Sequence, residues 1–311
     1  VIASTGGGGL ESGDPYWFTA KTAIDAYTYH QYPQGALKAR EASKAQCPAL
    51  VDDDLEFGNI ISTLTRFGRA CPKPCFFGES GWFDNYFKTG EIPQYLQRDI
   101  VWMSIVHNPG HLFWLHQGEE TSVYKAVPAI LAKLDLATFQ RDAGERVVDA
   151  SHDPGNDYYY YQTNKKAYWQ ILMQNRRALD SGLRLDFAME KKSGALDLFE
   201  PDAPLPRVRS LAIAKGYQAD AMSGNRGERW LIYLRNYAGV AVKANKPNAG
   251  GYARTRAACE LALSLDLPGK RYLRTVFDLN DGATSVTDVA GKHALSIKNT
   301  DHDFVIVLRG K

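Results

Sequence analysis

The sequence predicts an α/β unit followed by an all-β unit. Two features carry this. Over the first 135 residues, short and continuously apolar segments alternate with amphipathic helical ones, which marks a parallel sheet with helical crossovers. After Arg207 the hydrophobic period changes to two, with turn residues between the runs, which marks an antiparallel sandwich. The length, 311 residues, allows one large or two mid-sized domains with sizeable cores. The expected divisions are 1–150, a connecting region 151–207 with one helix, and 208–311.

Val1–Thr5 reads as a strand ending in the glycine loop Gly6–Gly9, and Asp25–Tyr32 as a second strand. A helix is predicted over Asp53–Arg69, where Phe57, Ile60, Ile61, Leu64 and Phe67 share a face. Pro74–Glu79 is a third strand. Pro93–His107 is a helix with Leu96, Ile100 and Met103 in one stripe. Gly110–His116 is a fourth strand and Ser122–Leu134 a helix, which Pro128 should kink or shorten at its start. A helix is also expected over Asn164–Leu179, after an exposed DPGNDYYYYQ loop whose tyrosines suit either a sugar groove or a surface that is half core. Beyond Arg207, Arg229–Asn236, Cys259–Leu267, Arg271–Asp278, Ala294–Lys298 and Asp303–Arg309 alternate apolar and polar residues. LPGK, NDG and NTDHD act as turns.

Composition narrows the functions. Hydrophobic residues make up 44% and charged residues 23%, which argues against disorder. The net charge of +2 implies no nucleic-acid partner. The charge is uneven, with 13 basic and 18 acidic residues over 1–150 against 24 and 17 over 151–311, as two units with different surfaces would have. No run of eighteen apolar residues exists, so no membrane-spanning helix is expected. The chain opens without Met and without a signal peptide, which suggests a processed, cleaved or partial chain. Cys47, Cys71, Cys75 and Cys259 lack zinc-site spacing with any histidine. They suit either buried thiols or, in an oxidising compartment, a disulfide among the first three. No metal or cofactor is expected.

The sharpest chemical segment is KPCFFGESGW, Lys73–Trp82. A buried strand ends there in a carboxylate, Glu79. Its bland alternative is a loop or helix-capping glutamate. Two other strand ends accompany it: His30-Gln31-Tyr32, an H-x-Y pair, and Phe113-Trp114-Leu115-His116. Such a set suits sugar chemistry. A carboxylate can attack an anomeric carbon, His and Tyr can hold its charge and the ring hydroxyls, and a Trp face can stack on pyranose C–H groups.

These motifs, in this order, resemble the second half of a (β/α)8-barrel (TIM barrel) glycoside hydrolase of the large retaining clan that includes cellulases and mannanases. That clan carries an H-x-Y on strand six, K-P-x-x-x-G-E-x-G on strand seven and an aromatic on strand eight. Here they match His30 and Tyr32, Lys73-Pro74 through Gly78-Glu79-Ser80-Gly81, and Trp114, with 49 and 35 residues between the marker positions. VIAST resembles strand five, and the closing RTVFDLNDGATS and IKNTDHDFVIVLR resemble the β-sandwich that ends several such families.

The resemblance implies barrel strands 5–8 over 1–150, a β-sandwich over 208–311, a carbohydrate substrate and an extracellular or cell-surface location. It implies Glu79 as the nucleophile, with His30, Tyr32 and Trp114 binding substrate and Trp82 and His116 as secondary members. The chain departs from the pattern in one respect: the clan's acid/base glutamate follows an Asn on strand four, and no Asn-Glu dipeptide occurs here. An N-terminal half-barrel segment, upstream of Val1 or on another chain, is therefore expected to supply it. The competing reading is a catalytically silent carbohydrate-binding or structural protein. A weaker third is a C-terminal sandwich that binds glycans itself; Trp230 and Tyr233 sit in a strand that alternates into a core, which counts against it.

Overall fold

The computed structural model describes residues 2–5, 23, 25–31, 75–80, 94–107, 111–113, 122–140, 146–147, 184–186, 210–213, 216–243 and 252–311. Among these the chain is mostly β-strand, with two α-helices. The helices expected over 53–69 and 164–179 lie outside the described residues.

Four N-terminal strands, β1 (Ile2–Thr5), β2 (Ala26–Gln31), β3 (Cys75–Ser80) and β4 (His111–Phe113), pair in parallel in sequence order. Consecutive parallel strands need crossovers that return the chain to the starting end. Between β3 and β4 that crossover is α1 (Gln94–His107), and α2 (Ser122–Ala132) follows β4. Pro128 lies inside α2, where its missing N–H leaves the Tyr124 carbonyl without its helical partner.

The remaining strands are all antiparallel. They are β5 (Arg146–Val147), β6 (Arg184–Asp186), β7 (Ser210–Ile213), β8 (Tyr217–Gly224), β9 (Arg229–Asn236), β10 (Gly239–Lys243), β11 (Tyr252–Arg256), β12 (Cys259–Asp278), β13 (Thr284–Thr300) and β14 (Phe304–Gly310). β10 and β11 form a separate hairpin. The others form one ladder in the order β5-β6-β7-β12-β14-β9-β8, with β13 along the second edge of β12.

LPGK, read as a turn between two strands, instead lies within the 20-residue β12 as a register shift between Asp266 and Arg271. The shift still redirects the chain. A straight strand of this length would hold Cys259 about 60 Å from Asp278. Yet Asn236 Nδ2 donates to the Ala257 and Thr300 carbonyls at 3.0 and 3.4 Å, and β9 reaches Asp278 through one intervening strand, β14. The β12–β13 ribbon therefore doubles back, and its two halves cover one core.

Tyr217, Ala219 and Ala221 of β8, Trp230, Ile232 and Leu234 of β9, Ile306 and Leu308 of β14, and Leu261 through Leu267 of β12 alternate into that core. The polar tips of two buried aromatics meet there: Trp230 Nε1 and the Tyr272 hydroxyl both donate to the Gly227 carbonyl, at 2.8 and 2.7 Å.

β8 and β9 are buried on their other face as well, because α1 lies across it. The helix is buried almost all round. Leu96, Ile100 and Met103, the stripe predicted from sequence, form one side; Tyr95, Arg98 and Asp99 turn to the C-terminal strands. A second contact joins the two parts of the chain. Arg229 donates to the carbonyls of Leu134 and Asp135 just past α2, both at 3.0 Å, and so caps the end of that segment.

Candidate active site

The parallel strands run in one direction, so their C-terminal ends share one rim. In the ladder of β2 and β3, Tyr27, Thr28 and Tyr29 pair with Cys75, Phe76 and Phe77. The register then skips Gly78, and His30 falls opposite Glu79, with Gln31 opposite Ser80. One extra residue in one strand is a β-bulge, a position glycine tolerates well. Without it, Gly78 would face His30 and Glu79 would face Gln31. Neighbouring strands lie about 4.8 Å apart, so the bulge makes His30 and Glu79 adjacent in the sheet. On the other side of β3, Ser80 pairs with Phe113, the residue before Trp114.

Of the six residues singled out in the sequence, the structure thus places the backbone of two, His30 and Glu79, side by side at the rim. Tyr32, Trp82, Trp114 and His116 lie outside the described residues.

Between α1 and the C-terminal strands is a polar network that the sequence did not announce. Asp303, at the start of β14 and fully buried, accepts from Arg98 at 3.1 Å, from the Asn236 backbone amide at 3.0 Å, and from both terminal nitrogens of Arg256. Arg98 also donates to Asn280 at 2.6 Å. Beside it, Asp99 accepts from the Tyr233 hydroxyl at 2.7 Å and from Arg235 at 3.3 Å. Burial, and then the nearby Asp303 and Asp99 charges, push the Tyr233 phenol well above its ordinary pKa, so it stays a donor. Burial alone would lower the pKa of Arg256, but the Asp303 carboxylate more than offsets it.

Tyr95 joins this network to the β10–β11 hairpin: its hydroxyl accepts from the Arg254 amide at 3.2 Å and the Arg256 guanidinium lies 5.2 Å over its ring. In sequence Arg98 and Asp99 resemble a solvated turn of helix. The available signal was that apolar and aromatic residues occupy most of the circumference of that helix.

Asp278, Asp281 and His302 bring one possible metal-ligand atom each to within 4.8 Å of one another. Their contacts account for a tight turn instead. Asp278 accepts from the Asn280 amide at 2.8 Å and lies 2.7 Å from His302 Nδ1, while Asp281 accepts from the Ala283 amide. Cys259 is a free thiol, half-buried, whose pKa burial raises. The other three cysteines have no described side chain.

No model of a known protein family matches the sequence, and no curated protein matches it. Solved structures do align with it at low similarity. A glycoside hydrolase of family 5 from Bacteroides vulgatus shares 13% identity over 96% of this chain and 53% of that chain, with a TM-score of 0.39. A family 51 alpha-L-arabinofuranosidase from Thermotoga petrophila shares 11% over 98% and 57%, with a TM-score of 0.32. A family 44 xyloglucanase from Paenibacillus polymyxa shares 9% over 96% and 50%, with a TM-score of 0.31. The chain spans about half the length of these structures.

Proposed function

We propose that this chain is the second half of a retaining glycoside hydrolase. Residues 1–150 would form strands 5–8 of a (β/α)8 barrel, and residues 208–311 would pack beside them as a β-sandwich, with 151–207 connecting the two. A segment upstream of Val1 or on another chain would close the barrel along β1 and β4 and bring the acid/base carboxyl. The observation that carries the reading is the pairing of His30 with Glu79 at the C-terminal ends of adjacent parallel strands, within the H-x-Y and G-E-x-G motifs. In barrels of this class, polar residues at that end of the strands do the chemistry.

The mechanism follows from the motif residues. The Glu79 carboxylate attacks the anomeric carbon and forms an ester bond to it as the glycosidic C–O bond breaks. The acid of the complementing segment, about 5–5.5 Å from Glu79 in a retaining site, protonates the departing oxygen. The same residue then takes a proton from water, whose oxygen attacks the anomeric carbon and releases Glu79. His30 and Tyr32 would fix the Glu79 rotamer, because a displaced carboxylate loses its attack geometry. Trp114 would form the floor under the attacked sugar, with Trp82 and His116 at its margin. The enzyme would act on carbohydrate outside the cell.

The second reading, a catalytically silent carbohydrate-binding or structural barrel, would follow if the complementing segment brings no Asn-Glu pair within reach of Glu79. The test is Glu79→Gln, assayed with the complementing segment on β-linked polysaccharides and aryl glycosides. Hydrolysis should fall by roughly three or more powers of ten while binding survives. Undiminished turnover removes Glu79 from the mechanism. A wild type that binds a polymer yet cleaves none of the panel supports the silent barrel.

A further inference from the structure

We propose that Asp99, Tyr233 and Arg235 are positioning residues: they fix α1 along the C-terminal sheet and, through α1, hold the strand end of β4 against that of β3. This rests on the reading above only for its catalytic consequence.

β4 is held weakly by its own ladder. It has three residues and two register partners on β3, Phe77 with His111 and Ser80 with Phe113, separated by a register shift. It is also tied covalently to α1. Three residues join His107, the end of α1, to His111, and such a link spans at most about 14 Å. Where α1 sits therefore limits where β4 can sit.

Most of α1 is buried by apolar contact, which is non-directional and tolerates sliding. The triad does not. Asp99 receives the Tyr233 hydroxyl on one oxygen at 2.7 Å and Arg235 on the other at 3.3 Å, and all three residues are at most 3% exposed. A displacement of one residue along the helix, about 1.5 Å, breaks both bonds. Tyr233 and Arg235 lie two apart on β9, hence on one face of a strand that the adjoining β14 and β8 hold on both edges. The reference surface is thus rigid, and the helix is set against it by hydrogen-bond geometry.

The test separates position from adhesion. The triple variant Asp99→Leu, Tyr233→Phe, Arg235→Met replaces the triad by apolar groups of similar volume, a change that commonly leaves stability unchanged or higher. In the whole chain, the urea midpoint should be held or rise, while amide hydrogen exchange at 75–80 and 111–113 should quicken about tenfold or more and β9 and β14 stay protected. Unchanged exchange in the parallel strands at equal stability overturns the proposal. If the triple variant does not fold, Tyr233→Phe alone decides: it removes one hydroxyl and should quicken exchange at 111–113 about threefold, and no change there overturns the proposal as well. On any glycoside the wild type cleaves, the triple variant should lose kcat with KM kept within about twofold. A wild type with no turnover when the complementing segment is present defeats the glycosidase reading and leaves the exchange result to judge the positioning role.

Discussion

Replacing Asp303 by alanine should be among the most damaging single changes to the C-terminal half. Its carboxylate is fully buried, and it is the meeting point of α1 through Arg98, β11 through Arg256 and β9 through the Asn236 amide. Alanine removes the shared acceptor and leaves two guanidinium groups with side chains 6% and 14% exposed facing each other, together with a buried N–H. Breaking a buried ion pair by deleting one partner costs about 3–5 kcal/mol, and the orphaned amide adds about 1–3 kcal/mol. These overlap, because the side chains relax, so the expected loss is about 4–6 kcal/mol. At roughly 2–4 °C per kcal/mol, the Tm should fall by about 8–24 °C. Urea unfolding followed by circular dichroism, with thermal melts beside it, reads this directly. Asp303→Asn should lie between, since its amide keeps one acceptor and turns a donor toward an arginine. A loss below about 1 kcal/mol for the alanine variant would mean that water reaches the arginines, and the description of a dry, charge-paired junction would be wrong.

Three further outcomes are expected. His293 is held below the ordinary imidazole pKa, first by burial and further by Arg274, against the opposing Ala290 and Gly291 carbonyls. The unfolded chain therefore binds the proton more readily, and stability should decline as pH falls below about 6.5, a slope that His293→Gln should flatten in urea titrations at pH 7.5, 6 and 5. Gly239 has φ +99° and a Cβ there would lie 1.6 Å from the Thr255 carbonyl oxygen, so Gly239→Ala should cost about 2–5 kcal/mol by chemical denaturation. Gly282, with φ +78° and open space around it, should lose only about 1–2 kcal/mol on the same change; equal losses would contradict the clash.

Local pattern made much of the architecture legible. β9 was read to the residue, because RWLIYLRN alternates so strongly, and α1 to within one residue, because its apolar stripe and leading proline agree. β8 escaped notice. YQADAMSG presents Tyr217 and two small alanines to the core and Gln218, Asp220 and Met222 to the other face, yet all eight residues are buried because α1 covers that side. Burial by a distant element leaves no periodic trace in the buried strand. The same holds for Arg98 and Asp99, whose carboxylate and phenol partners lie more than 130 residues away. LPGK looked like a turn since Pro and Gly punctuate strands; here the chain bends while the β12–β13 ladder resumes beyond it. At the candidate site, the motifs named Glu79 and His30, but the one-residue skip at Gly78 that sets them opposite each other is a matter of pairing between strands and is invisible in either strand alone.

The central claim, that Glu79 is the nucleophile of a retaining glycosidase, is tested most directly by trapping the glycosyl-enzyme. The chain, with its complementing segment, is incubated with activated 2-fluoro glycosides, which form the ester and release it slowly, and the digested protein is weighed by mass spectrometry. The account predicts one added glycosyl group on the peptide containing Phe76–Gly81, lost in Glu79→Gln. A glycosyl group carried by another carboxylate, or turnover of these glycosides with no adduct at Glu79, would contradict it.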